Sequence, residues 1–457
     1  MKASAYHYLQ YEGHFAIERQ QGIDEGRALS EAIEAHYGRL AAMTPGDPER
    51  EALAAEYLDE MRNMPMRPDY PFAEPSDLAG IRAERPPAAK LAAPLPAGPA
   101  LEDKLYGAWL GRSAGCLLGQ PIEGWRRERI AGLLGETDNY PIRRYLSSAI
   151  DRGIADKYGV KDEGGSYGNP CVSWINNVRH MVEDDDMNYT IIALAVLEKY
   201  GESFTPDDVA EAWLTWLPAL RTCTAERIAY RNLMNGIDPP RSAGYRNAYR
   251  EWIGAQIRAD FYGYINPGDA ELAAEMAWRD ASISHEKNGI YGAMWVAAML
   301  AAAAVTNDME EVILAGLGQI PAASRLSAEI RTVLHWRREE VVHEEAIDRI
   351  HRKYDEGDPH HWCHTISNAM IVAVSLLYGG GDLERTIGMA AAAGFDTDCN
   401  AATSGSVVGM QLGAEALPEA WVQPLNDLIL SGVDGFGLTP ISQLAKRTCE
   451  LAARGGA

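Results

Sequence analysis

The sequence predicts an all-α protein, built as one large multi-helix domain that carries a helical N-terminal extension. Three observations lead there. Ala- and Leu-rich amphipathic stretches recur from residue 101 onward, punctuated by Gly and Pro. Strand-like alternation is nearly absent, aromatic residues are only 8%, and β-branched runs are short. Hydrophobic residues make up 47% of a 457-residue chain, enough for a sizeable core and too many for global disorder.

Taken in order, residues 1–64 read as a helical extension. Glu18, Ala28, Leu29, Ala32 and Ile33 are good helix formers, as is the stretch Glu49–Met61, and the TPGDP turn at 44–48 separates two helices. Residues 65–100 follow as a linker or surface-hugging arm, because nine prolines between 65 and 99 forbid a continuous helix. The main domain then runs over 101–457. Its expected helices include 103–118, 187–200, 207–217, 270–281, 290–305, 309–318, 365–378, 384–393 and 399–413.

Charge and cysteine usage exclude whole classes of function. Lys plus Arg number 42 and Asp plus Glu 65, giving 42 − 65 = −23. That balance argues against nucleic acid and against an anionic membrane surface as partners. The six cysteines show no CxxC spacing, so they read as reduced thiols of a cytoplasmic protein rather than a zinc site or a disulfide framework. The first fifteen residues contain no apolar run of the signal-peptide kind. Ile290 to Val305 is apolar but too short to span a bilayer and is expected to be a buried helix.

Two segments carry glycine at every fourth position: Gly107, Gly111, Gly115 and Gly119, then Gly405, Gly409 and Gly413. Such a stripe lies on one helix face. Each glycine costs about 1 kcal/mol in a helix interior, so the stripes call for close helix approach, or for room for a ligand against bare backbone at Gly115 and Gly119. Glu123 lies just past the end of the first stripe, and Asp396 and Asp398 stand at the start of the second helix. Antiparallel packing through the stripes would bring these acids together.

The acids are the strongest chemical signal. Glu183-Asp184-Asp185-Asp186 precedes an apolar helix, and Asp396-Thr397-Asp398-Cys399 sits among Ala and Gly. Either group can be a solvated first turn favoured by the helix dipole, or a set of oxygen ligands for a hard cation such as Mg²⁺. A lone Glu123 is compatible with a surface residue or a reacting acid. His285 and His364, each at a helix start, either satisfy a structural hydrogen bond or face a ligand. Dinucleotide, Walker, HExxH and GxSxG signatures are missing.

The motifs GAWLGRSAGCLLGQPIEGW, EDDDMNYT, SHEKNGIYG and GFDTDCNAATSGSVVGMQLG occur in that order. Together they resemble the ADP-ribosylglycohydrolase family, which includes the dinitrogenase reductase-activating glycohydrolases, over about residues 101–425. The resemblance implies an all-α fold and a binuclear centre of two Mg²⁺ ions, with Mn²⁺ as a substitute. It also implies hydrolysis at the ribose anomeric carbon of an ADP-ribosyl conjugate, either on a protein or on a small molecule. It assigns Asp184, Asp185, Asp396 and Asp398 to the metal and Glu123 to the Gly-rich opening motif. Glu183 and Asp186 stand where the family has Thr, and Cys399 where a Thr ligand is usual. Phe395 replaces a Gly, and His285 matches a His near the substrate.

The implied metal set is therefore Glu183, Asp184, Asp185, Asp396, Asp398 and Cys399, with Glu123 and Asp185 catalytic. His285, Gly115, Gly119 and Arg258 are the substrate-side candidates, Arg258 by its charge as a phosphate partner. The segment YREWIGAQIRADFYGYINPG and the N-terminal arm resemble a bacterial subgroup of unassigned substrate. Two alternatives accompany this reading: an N- or O-glycosidase of a nucleoside-like or specialised metabolite, and a non-catalytic crystallin-like structural protein. Retention of five mutually repelling acids argues against the second.

Overall fold

The computed structural model describes residues 3–87 and 94–455. They form an all-helical protein whose regular strands, among the described residues, are Leu428–Leu430 and Leu438–Pro440, a short antiparallel pair with Ile429 opposite Thr439. No helix among these residues is long and apolar enough to cross a membrane.

The N-terminal helices Phe15–Asp24, Glu31–Ala42 and Pro48–Arg62 pack around a small core of Phe15, Ile33, Leu40, Tyr57 and Met61. The break between the last two follows from the TPGDP turn. Asp47 accepts a hydrogen bond from the Glu49 amide as N-cap, and Pro48 occupies the first helical turn, where its missing N–H costs nothing. The proline-rich arm contains one short helix, Leu78–Glu84, capped by Asp77. The arm is tied down along the main domain: the Ala73 amide donates to the Ala323 carbonyl at 3.0 Å and the Trp278 indole to the Ser76 carbonyl at 2.9 Å. Residues 88–93 of the expected linker lie outside the described residues.

The centre of the main domain is the pair Pro99–Gly119 and Thr397–Leu412. The stripes pair antiparallel and in register. A Cβ at Gly107 would meet the Gly409 carbonyl, one at Gly111 the Gly405 carbonyl, one at Gly115 Ala401, and one at Gly119 the backbone of Asp398. Backbone touches backbone along the whole seam, which is the reason the helix-weakening glycines are present. Gly115 and Gly119, expected near substrate, are consumed by this packing.

Further helices enclose the pair. Lys287–Ala303, the Ala-rich expected helix, is buried along nearly its whole length. Thr365–Gly379 and Leu383–Ala392 cover the second glycine helix, and the terminal Ile441–Gly455 lies on the first. Asp185–Tyr200 delivers the acid run to the end of the pair.

Candidate active site

Antiparallel pairing places the end of one glycine helix beside the start of the other. The Thr397 hydroxyl donates to the Gly119 carbonyl at 2.9 Å and fixes that junction. Four residues later the chain reaches Glu123, and carboxylate oxygens of Glu123, Asp396 and Asp398 lie within 4.8 Å of one another. Phe395 shapes the approach. It holds a left-handed backbone (φ 57), a conformation suited to glycine, and its ring packs on His351 at 4.9 Å.

The acid run enters from the Asp185–Tyr200 helix. Asp184 is its N-cap and accepts from the Asp186 amide at 3.0 Å and from Gln120 Nε2 at 2.6 Å. Helix phase then separates the four acids. Asp184 and Asp186 turn inward and are buried, and Asp185 is partly exposed. Glu183 turns the other way, and its Oε1 lies 2.8 Å from Arg221 Nε. Glu183, expected among the metal acids, is therefore an ion-pair partner at the rim. Asp186, which family matching left out, joins a cluster with Asp398 and Cys399.

Electrostatics set this site apart. Burial pushes the Asp398 carboxyl well above the usual range, and Glu123, Asp396, Asp184 and Asp186 add to the shift. Asp184, Asp185 and Asp396 are raised chiefly by burial as well. Glu123 is accessible at the cleft edge but closely surrounded. That crowding, with the charges of Asp396, Asp184 and Asp186, raises its pKa too. Positive charge inside the cluster comes from Arg112, 3.2 Å from Asp186 and 3.0 Å from Asp260. Asp396 Oδ1 and Asp398 Oδ1 are buried without a hydrogen-bond partner.

The donor set fits a hard divalent cation. Such ions take carboxylate oxygens, and here Asp396 Oδ1 and Asp398 Oδ1 converge without the N–H groups that would otherwise satisfy them. Two thiols beside them act as hydrogen-bond donors to the carboxylates. Cys399 Sγ donates to Asp186 Oδ2 at 3.1 Å and Cys363 Sγ to Asp396 Oδ2 at 3.3 Å, and burial raises both thiol pKa values, keeping them protonated. Cys116 closes a third group with Asp184 and Asp398. Cys363 and Cys116 had no spacing signal, because Cys116 reaches the acids from the first glycine helix and Cys363 from the turn before Thr365–Gly379.

The remaining candidates lie in a buried polar network behind the acids. His285 is fully buried, with Nδ1 2.8 Å from Ser284 Oγ and Nε2 without a hydrogen-bond partner. Burial, then the charge of Arg258, lowers its pKa well below normal, so it is neutral. Arg258, expected to meet a phosphate, is only 1% exposed. Its donors are taken by Asp280, by Glu226 at 2.9 Å and by Ser284 at 2.8 Å. A phosphate would have to displace all three. His364 caps the Thr365–Gly379 helix by accepting from the Ile366 amide.

Above the acids, residues 164–171 form a glycine-rich loop closed by a bridge between Glu163 and Cys171. It roofs a cavity of about 180 Å³ that Glu123, Gln120 and Glu183 line from below. Tyr167 hangs from this loop and hydrogen-bonds Asp185. Its left-handed backbone (φ 51) is unusual for an aromatic residue and gave no signal in the sequence.

A family model described as ADP-ribosylglycohydrolase matches residues 97–456. A solved structure described as an "ADP-ribosylglycohydrolase-related protein complex" aligns over 78% of this chain and 99% of its own, at 17% identity and a TM-score of 0.45. No curated relative matches the sequence.

Proposed function

The chain belongs to the ADP-ribosylglycohydrolase family, and on that premise we propose that it is a divalent-cation-dependent hydrolase of the bond at the ribose anomeric carbon of an ADP-ribosyl conjugate. The observation that carries this reading is the convergence of Glu123, Asp396 and Asp398 within 4.8 Å, with carboxylate oxygens left unpartnered beside them. The resident ions are two Mg²⁺, with Mn²⁺ able to replace them, held by Asp184, Asp185, Asp186, Asp396 and Asp398. A divalent ion in this cage supplies Lewis-acid polarisation of ribose hydroxyls and of water.

The protein's own groups do the rest. Glu123 stands at the cleft edge, where desolvation and the charges of Asp396, Asp184 and Asp186 raise its pKa, and it is the group placed to pass a proton at the scissile bond. Asp185, partly exposed beside it, faces the space where water would be held. Carboxylates fixed around the anomeric carbon stabilise the oxocarbenium character of its transition state. Six cysteines without a disulfide in the structure support a reducing compartment such as the cytoplasm.

The test is incubation with arginine-linked, serine-linked and small-molecule ADP-ribosyl conjugates, with and without Mg²⁺, reading free ADP-ribose by mass. Glu123→Gln should lower the rate about 10²- to 10⁴-fold. No release from any conjugate would end this reading. One observation favours a smaller substrate: the roofed cavity is about 180 Å³, below the 300–1,000 Å³ or so of sites for larger ligands. Release of a base or alcohol from a nucleoside-like glycoside, with ADP-ribosyl conjugates untouched, would select that second reading.

A further inference from the structure

Arg221 differs from the two arginines buried beside the acids. Arg112 and Arg258 are buried, and their guanidinium groups are spent on carboxylates and carbonyls. Arg221 ends the short 3-10 turn Ala219–Arg221, and its side chain is 31% exposed at the rim of the acid cleft. Only Nε is engaged, facing Glu183 Oε1 at 2.8 Å, and the two terminal nitrogens have no protein partner among the described residues. A guanidinium held by Nε presents its remaining donors as a planar fork, the geometry that takes a phosphate through two parallel hydrogen bonds.

Three neighbours fix the fork in place. Glu183 anchors it, and it is the residue standing where the family motif has Thr. Gly432 lets the pair lie against bare backbone, since a Cβ there would strike Glu183 Oε1 and crowd Arg221 Nε. The ring of Tyr167 lies 5.9 Å from the guanidinium carbon, at cation–π distance. Tyr167 hangs from the loop that roofs the cavity beside Glu123, and Glu183, the ion-pair partner of Arg221, lines that cavity.

We propose that Arg221 is an anion subsite at the cleft mouth, taking a phosphate group of the substrate through its terminal nitrogens while Glu183 holds Nε. A cleft lined by carboxylates repels phosphate, and a fixed cation at its mouth offsets that repulsion locally. The pair Glu183–Arg221 is then a specificity device of this chain, discriminating a phosphorylated ribosyl substrate from an uncharged nucleoside. The identity of the substrate rests on the glycohydrolase reading above; the anion subsite does not.

The test is calorimetric titration of the Mg²⁺-loaded protein with ADP-ribose and with adenosine, which shares the base and a ribose but has no phosphate. Arg221→Ala should weaken ADP-ribose about tenfold or more and leave adenosine unchanged. Arg221→Lys, a point charge without the fork, should recover only part of the loss. Equal losses for both ligands, or none for ADP-ribose, would overturn the inference. If wild type neither hydrolyses ADP-ribosyl conjugates nor binds ADP-ribose, the glycohydrolase reading fails by itself. The subsite must then appear as Arg221-dependent binding of inorganic pyrophosphate, and wild type and Arg221→Ala binding it alike would refute it separately. Circular dichroism and melting of both variants exclude misfolding as the cause.

Discussion

Glu251 and Asp398 are both buried carboxylates, yet one is held ionised and the other is pushed toward its protonated form. Burial alone would raise Glu251, but Arg325 at 2.7 Å, together with His364 and Lys287, overrides it and holds the pKa well below normal. Glu251 belongs to a seam where the N-terminal extension docks. There Arg250 meets Glu18 at 2.6 Å and Glu25 at 2.7 Å, Arg325 meets Glu74 at 2.8 Å, and Lys287 meets Glu25 at 3.0 Å. Glu18 alone among these stays raised, because burial outweighs its share of Arg250. Asp398 belongs to a cage with Asp184, Asp186 and Asp396, where Arg112 pairs with Asp186 and the other side-chain partners, Gln120, Cys399 and Cys363, carry no positive charge. Desolvation is common to both regions. The seam offsets it with cations built into the chain, and on the proposed reading the cage leaves it to a divalent cation.

The largest effect should come from breaking the seam. Arg250→Met removes the shared partner of two buried glutamates and should cost about 3–5 kcal/mol, read from urea unfolding. A loss under about 1 kcal/mol, the scale of a surface ion pair, would show that the seam is not held by its charges.

The cage should respond in the opposite sense. Mg²⁺ at a hundred times its Kd should stabilise the protein by about 2.7 kcal/mol, and EDTA should remove that gain. Asp398→Asn should melt higher than wild type in EDTA, since one repelling charge is gone, and should gain nothing from Mg²⁺. Melting indifferent to both EDTA and divalent ions would sink the metal reading of the cage while leaving the seam intact.

Acid should separate the two regions next. Glu25 is lowered from 4.5 to about 2, with Arg250 and Lys287 overriding the burial that opposes them. A depressed carboxyl stabilises the fold above its unfolded pKa, so this contribution is complete above about pH 5 and fades as pH falls through about 4.5 toward 2. Unfolding measured across that window should show the decline in wild type, and Arg250→Met should flatten it. Equal slopes in the two proteins would assign the acid loss elsewhere.

The smallest effect is expected at Cys399. Its thiol donates to Asp186, and a hydroxyl can do the same, so Cys399→Thr should change stability by no more than about 1 kcal/mol and retain the Mg²⁺ response. Loss of Mg²⁺ affinity in this variant would mean that sulfur is a ligand after all and that the cage prefers a softer ion.

Much of this architecture is legible in the sequence. The helices follow from apolar periodicity and caps, as at Asp47-Pro48 and at the Thr205–Asp208 capping box that opens Pro206–Trp216. The two stripes state their own pairing, because glycine at every fourth position is unfavourable in a helix unless another backbone fills the space. From that rule alone Glu123 is expected beside Asp396 and Asp398. What the sequence left open is which acids face inward. Four consecutive carboxylates look alike on paper. The phase of one helix against its neighbours turned Asp184 and Asp186 into the cage and sent Glu183 out to Arg221. Arg258 shows the same limit, since charge alone does not reveal that Glu226 and Asp280 have claimed it.

Periodicity, capping and glycine spacing act between residues close in the chain, so sequence by itself determined the all-α class, the approximate extent of many helices and the two glycine faces that seek a partner. Burial and charge compensation act between residues hundreds of positions apart. Tertiary structure therefore decided which carboxylates are paired with arginines, as Glu183 is with Arg221, and which oxygens, as Oδ1 of Asp396 and Asp398, stay without a partner.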